Sequence, residues 1–248
     1  MPSLQVLALC KQSRIPVAVV LINGGAVAID PLVPAAPAIV EAFYPSVRGA
    51  EALALALFGV ENRWGRLPIT MYDKSFMQVD FHNFDMAKAP GRTYKYYQRP
   101  ALFKFGTGIS YSQFTTSCTM ASTATDVGIV ITCTLRISGG AKRGDEVLMA
   151  YHSVGPAIRT AALLKHSVPI KELVAFERVS LAGDSSAKVQ LYIGPQQLGL
   201  VDETGTKQLA AGAHTITVTN GGSFSKTFPV QVSASKVLIT VPPMPEQL

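Results

Sequence analysis

The sequence predicts an incomplete parallel α/β layer, followed by an all-β sandwich of immunoglobulin or fibronectin type, with an aromatic strap between them. Three observations carry this reading. Short apolar runs alternate with helical patterns as far as Thr70. Beyond the strap the apolar period changes to two, with regular turn signals. Between these regions, Pro90–Phe114 packs nine aromatics or prolines and three glycines into 25 residues. The boundaries that follow are 1–89 for the α/β piece, 90–112 for the strap, 113–241 for the sandwich and 242–248 for a frayed tail.

Taken in order, Ser3–Ser13 places apolar residues at 4, 7, 8 and 10 and reads as a helix. Val17–Ile22 is a continuous apolar run, the pattern of a strand covered on both faces, and Asn23-Gly24-Gly25 stops it. A proline-rich crossover over 31–37 leads to a second buried strand, Ile39–Phe43, ending at Tyr44-Pro45. Gly49–Phe58 is an alanine-rich helix with Leu53 and Leu57 as its stripe and Gly59 as a left-handed stop. Arg66–Thr70 reads as a short third strand. Three parallel strands make a thin sheet with an apolar edge, so a larger assembly is expected around it.

The strap reads as ordered and extended, because a helix does not accommodate that density of breakers and a solvated linker does not carry so many rings. Arg92, Tyr94, Tyr96, Tyr97, Phe105 and Tyr111 are the expected joint residues, with Arg92 forming an ion pair to the α/β half or reaching a bound ligand. Past it, the alternation from Val127 to Ile137 gives a strand turned by Ser138-Gly139-Gly140. Asp145–His152, Glu172–Leu181, Ala187–Ile193, His214–Thr219 and Phe224–Val232 follow as further strands, seven or so in all.

Bulk properties narrow the function. The content is 48% hydrophobic and 15% charged, which is globular and rather apolar. The net charge of +6 is spread out, with 11 basic against 7 acidic residues over 1–110 and 11 against 9 over 111–248. No basic stripe marks a nucleic-acid partner, and no apolar run is long enough to span a membrane. Lys11 and Arg14 before Pro16–Ile22 mimic a signal peptide, but Asn23-Gly24-Gly25 interrupts the apolar core. Cys10, Cys118 and Cys133 have no metal spacing; Cys133 reads as a buried thiol, with a Cys118–Cys133 bridge as the alternative.

Several motifs in series resemble glycoside hydrolase family 3. Asn23-Gly24-Gly25-Ala26-Val27-Ala28-Ile29 is similar to that family's NGGPxDI, and Leu57–Thr70 to LFGxxNPSGRLPVT. Pro90–Tyr97 with Phe105–Tyr111 resembles PGRTYRYY followed by FGxGLSY. Gly144–Val147 and Lys171–Val179 resemble GDEVV and KxLxGFERV. The insert over Tyr72–Met86 resembles the β-xylosidase and arabinofuranosidase branch more than the β-glucosidases. Two departures stand out: the YPGQxGG loop reads Tyr44-Pro45-Ser46-Val47-Arg48-Gly49-Ala50, and NPSG reads Asn62-Arg63-Trp64-Gly65.

The resemblance implies the carboxy-terminal part of a retaining exo-glycosidase, with a fibronectin type III-like domain and no cofactor or metal. Its partners would be a (β/α)₈ barrel and an oligosaccharide. Its compartment would be secreted or vacuolar. In the family the nucleophile is a barrel Asp, and the acid/base Glu precedes an LPGxQ segment that Met1–Gln5 resembles, so no catalytic residue is expected here. Asp30, Glu41, Glu51, Asp80 and Asp85 have no family warrant as catalysts; Asp30 reads as a turn former, Glu51 as a helix-dipole partner and Asp80 and Asp85 as loop acids, and His82 and Asn83 add no metal site. His152, His166 and His214 lack a nucleophile elbow. Trp64 reads as a packed ring rather than a sugar platform. Because ligands gather at the carboxyl ends of α/β strands, Asn23, Gly24, Gly25, Tyr44 and Arg48 are the expected substrate-proximal residues. The alternatives are a stand-alone accessory or glycan-binding module, or one subunit of a split glycosidase.

Overall fold

The computed structural model describes residues 2–121, 128–140, 143–163 and 167–240. Val127, His166, Met1 and the 242–248 tail, all used above, lie outside the described residues. The chain forms two compact units, one of Met1–Glu61 with Arg66–Thr107, the other of Asn62–Gly65 with Gly108–Leu248.

The first unit opens with α1 (Pro2–Gln12), whose only buried side chain is Leu7. Strands β1 (Val19–Leu21) and β2 (Ile39–Glu41) pair in parallel, Val19 opposite Ile39 and Leu21 opposite Glu41. Both are half-buried along their length, and Ile22 is exposed. The strand expected to be covered on both faces is therefore shorter and only partly covered. Helix α2 (Gly49–Leu57) ends as the sequence predicts, with Gly59 at φ +73°.

The third strand does not form. Arg66–Thr70 is paired instead at its two ends with the strap: Leu67 N–H donates to the Thr107 carbonyl at 2.8 Å, and Met71 exchanges both backbone hydrogen bonds with Phe103 at 2.9 and 3.1 Å. The short apolar pattern that reads as a strand is satisfied by the strap, so the sheet has two strands. The strap is also not extended throughout. A four-residue helical turn, α3 (Thr93–Tyr96), sits inside it. Gly91 makes that turn possible: its φ is +82°, and a Cβ there would lie 1.9 Å from the Tyr96 carbonyl oxygen.

The second unit is a sandwich of β3 (Ser112–Met120), β4 (Ile129–Gly140), β5 (Arg143–Val154), β6 (Glu172–Ala182), β7 (Ser186–Ile193), β10 (Gly212–Thr219) and β11 (Ser225–Val232). One sheet runs β3-β4-β7 and the other β11-β10-β5-β6, all pairs antiparallel. Strands β8 (Leu200–Val201), β9 (Lys207–Leu209) and β12 (Lys236–Ile239) form a small third sheet, and α4 (Pro156–Leu163) follows β5. Alternation drives the closure: Ile129, Ile131, Leu135, Leu191, Ile216 and Val230 point inward and are fully or nearly fully buried. Strand β4 continues through Gly140, past the turn expected at Ser138. Cys118 and Cys133, opposite each other on β3 and β4, are joined in a disulfide, so the buried-thiol reading of Cys133 is corrected.

A polar hub inside this unit explains several motif residues. Asn62 is buried; its Nδ2 donates to Ser112 Oγ at 2.9 Å and to the Arg143 carbonyl at 2.7 Å. Its Oδ1 accepts from Ser110 Oγ and Tyr111 N–H at 3.1 and 3.2 Å. Asp145 N–H donates to the Asn62 carbonyl, while its carboxylate accepts from Arg178 Nε at 2.8 Å and Ser180 Oγ at 2.7 Å. Arg178 also donates to the Arg63 carbonyl at 2.8 Å. Trp64 sits edge-on to Tyr111 with centroids 5.9 Å apart, a packed ring as expected. The residues of GDEV and FERV thus tie the four-residue segment Asn62–Gly65 to the sandwich.

Candidate functional site

Parallel pairing of β1 and β2 sets their carboxyl ends side by side, and the chain leaves both strands through loops that meet. Asn23 lies two residues past β1. Its Nδ2 donates to the Gly25 carbonyl and, at 3.5 Å, to Glu41 Oε2 at the end of β2. Both neighbours are acceptors, which fixes the amide orientation. The other oxygen of Glu41 accepts the Phe43 N–H at 3.1 Å and holds Phe43 at φ +51°, in the left-handed region. The turn aims Tyr44 back across the first loop. A Cβ on Gly24 would fall 2.9 Å from Tyr44 Cε2, so glycine is what lets the ring lie there. The Tyr44 ring is 76% exposed. Asn23 Oδ1 is buried and has no hydrogen-bond partner.

The structure thus brings Asn23, Gly24, Gly25 and Tyr44 together, with Arg48 exposed farther along the same loop, at the N-cap of α2. Glu41, weighed in the sequence only as a stray carboxylate, is the residue that organises both loops; its position at the end of an apolar run was the available signal. As a turn acceptor it is already engaged. The arrangement presents polar loop edges and one open ring at the carboxyl ends of the two strands.

Elsewhere in this unit, Asp30 accepts the Lys74 N–H through both oxygens, at 3.0 and 3.1 Å. Asp80 and Asp85 accept N–H groups two residues ahead, His82 and Ala87. No group of three or more His, Cys, Asp or Glu side chains gathers among the described residues. Arg92 donates to the Asp80 carbonyl at 2.7 Å, where an ion pair was expected. The joint rings sort by unit. Tyr97 meets Tyr72 and Phe76 edge-on, Tyr94 tilts onto Phe105 at 4.4 Å, and Tyr111 belongs to the sandwich. Arg92 and Tyr96 bracket the helical turn, the Tyr96 N–H bonding the Arg92 carbonyl at 3.2 Å. Tyr72 was missed as a member: it stacks on Phe76 and its oxygen accepts the Thr93 N–H at 2.6 Å. Burial pushes its phenol pKa up, against that N–H, which favours the phenolate.

In the sandwich, His152 and His214 form a buried pair, Nε2 to Nδ1 at 2.8 Å. His214 Nε2 lies 2.8 Å from the Ala210 carbonyl, which can only accept, so its proton is there and Nδ1 is the acceptor for His152 Nε2–H. Burial first, then the neighbouring His214 and Lys207, lowers the His152 pKa to about 3. Burial also lowers that of His214. A neutral pair of this kind, bonded to itself and to the backbone, is structural.

Comparison with known proteins agrees with this architecture. Residues 3–111 match the glycosyl hydrolase family 3 C-terminal domain, and residues 157–222 match the fibronectin type III-like domain. Together they define the class: a family 3 C-terminal domain followed by a fibronectin type III-like domain. A beta-xylosidase/alpha-L-arabinofuranosidase from Medicago sativa subsp. varia is 32% identical over 71% of this chain and 26% of its own length. A xylan 1,4-beta-xylosidase from Xylanibacter ruminicola is 33% identical over 78% of this chain and 21% of its own length. The beta-glucosidase of Kluyveromyces marxianus superposes with a TM-score of 0.78 at 26% identity, covering 94% of this chain and 28% of that one. A GH3 exo-beta-xylosidase bound to a xylobiose aziridine probe shares the fold, with a TM-score of 0.78 at 21% identity over 96% of this chain and 34% of that one. The chain belongs to glycoside hydrolase family 3, as a carboxy-terminal portion spanning about a quarter of the length of these two curated relatives.

Proposed function

We propose that this chain serves as the non-catalytic flank of a retaining, exo-acting β-xylosidase or β-glucosidase working on plant-type oligosaccharides. The barrel nucleophile and the acid/base come from outside these residues. The observation that carries the reading is the run of an α/β unit and a fibronectin III-type sandwich in family order, matched to xylan-acting relatives over most of the chain. Within it, 1–89 is the α/β contribution, 90–112 the connecting strap and 113–241 the sandwich. Asn23, Gly24, Gly25, Tyr44 and Arg48 form the wall nearest the sugar, with Tyr44 as a stacking face. No metal or cofactor takes part.

Two measurements test this. Purified chain alone, given nitrophenyl xyloside, glucoside and arabinofuranoside, is expected to show no turnover above blank. Turnover above blank that survives repurification would overturn the non-catalytic role. Exchanging residues 1–248 for the matching segment of the Medicago relative is expected to give a chimera that cleaves nitrophenyl xyloside. A folded, inactive chimera would count against the family role.

A further inference from the structure

The outer face of the β3-β4-β7 sheet has a composition that the sandwich core does not require. Register sets Ser117, Thr134 and Lys188 in one cross-strand row and Thr115, Arg136 and Ser186 in the next. Directly paired residues of an antiparallel sheet share a face, so these six stand together, and all are exposed. No acidic side chain occurs on the described residues of the three strands. At one end the face runs into an open depression of about 640 Å³, lined in part by Thr115, Arg136, Ser138 and the Gly183-Asp184 turn. At the other end stands Tyr192, paired with Val130. Its ring lies across two glycines: a Cβ would fall 2.6 Å from it at Gly128 and 3.5 Å at Gly194. Pinned in that way, the ring is still 57% exposed. Arg136 lies six positions along β4 from Val130, a span of roughly 20 Å at the strand rise.

We propose that this face binds an extended polysaccharide carrying occasional carboxylates, a uronic-acid-substituted β-glycan. Hydroxyl side chains in rows can exchange hydrogen bonds with successive sugar hydroxyls. A ring already held in place stacks on a sugar without paying much ordering entropy. Two cations on strands that carry no acidic side chain, with Asp184 confined to the turn at one end, favour a sparse polyanion. Duplex nucleic acid presents a charge about every 1.7 Å and would meet only two cations over that span. Asp184, in the depression, accepts from neutral sugar hydroxyls. This inference rests on the sandwich alone and concerns binding, so it stands or falls separately from the proposed role as the flank of a glycosidase.

Affinity electrophoresis of the chain through gels containing glucuronoxylan tests it, with the same polymer after carboxyl reduction as the neutral control. Retardation by glucuronoxylan is expected, weakening about tenfold in the reduced polymer, in the Arg136→Gln/Lys188→Gln double variant and at high salt. Tyr192→Phe should bind as the parent does, and Tyr192→Ala should bind more weakly. All these positions are exposed, and thermal melting confirms that each variant is folded. Equal mobility with and without glucuronoxylan would overturn the proposal. Undiminished binding by the double variant, or stronger retention by heparin or DNA through the same residues, would do so too.

Discussion

Two regions of this chain meet water in opposite ways. In the sandwich, Ile129, Ile131, Cys133, Leu135 and Leu148 are completely withdrawn from solvent. In the α/β unit, the described buried apolar residues are Leu7, Ile29, Met71 and Tyr97, while Phe58, Phe81 and Phe84 are largely exposed. The sandwich closes two sheets on each other, so alternation alone buries a full face of each. The α/β unit has two three-residue parallel strands, too few to enclose a core. Its order comes from turns, ring contacts and side-chain caps. A domain of closed layers carries its stability in packing, and an open one carries it in local geometry.

The largest test of that contrast is a matched pair of truncations. Leu135→Ala in the sandwich should cost about 2–5 kcal/mol, read from the urea midpoint. Leu21→Ala in β1, half-buried, should cost under about 1 kcal/mol. Comparable losses would erase the distinction. Next is Gly91→Ala, which forces a side chain onto φ +82° and against the Tyr96 carbonyl. It should destabilise the α/β unit by about 3 kcal/mol while the sandwich transition stays in place, resolved by hydrogen exchange of the two units.

The smallest effect is acid sensitivity of the sandwich. His152 has its folded pKa lowered from 6.5 to about 3, so below pH 6.5 the unfolded chain takes up a proton that the folded one refuses. Stability from this group is complete above pH 6.5 and falls steadily as pH drops toward 3, by about 2 kcal/mol at pH 5. Urea midpoints of His152→Leu and the parent should converge as pH falls from 7 to 5. A constant gap would show that the pair is not held neutral by burial.

Much of this was legible in the sequence, for a physical reason. The valine run of β1, the alanine-rich α2 with Gly59, and the alternation of β4 each declare their own conformation locally. Arg66–Thr70 failed as a strand because its partner is the strap, a choice that depends on tertiary contact and not on its letters. Strand β3 was passed over because Ser112–Met120 is mostly Ser and Thr, with Phe114, Thr116, Cys118 and Met120 as a weak inner row. Helix α4 is short, and only Pro156 at its start announces it. At the candidate site, the Gly-rich loop and Tyr44 could be named in advance from the strand-end rule. The role of Glu41 could not, since it exists only once Asn23 and Phe43 are brought to it. Nor did composition decide between bonded and free cysteines; the β3-β4 register does.

The threading of Asn62–Gly65 has a consequence for how such modules are inherited. A gene fragment beginning at Gly108 would encode every strand of the sandwich but not the amide that binds Ser112 to Arg143. Shuffling this β-domain between proteins therefore means carrying along a tetrapeptide encoded more than forty codons upstream, and recombination that respects only linear borders would deliver a sandwich with an empty socket.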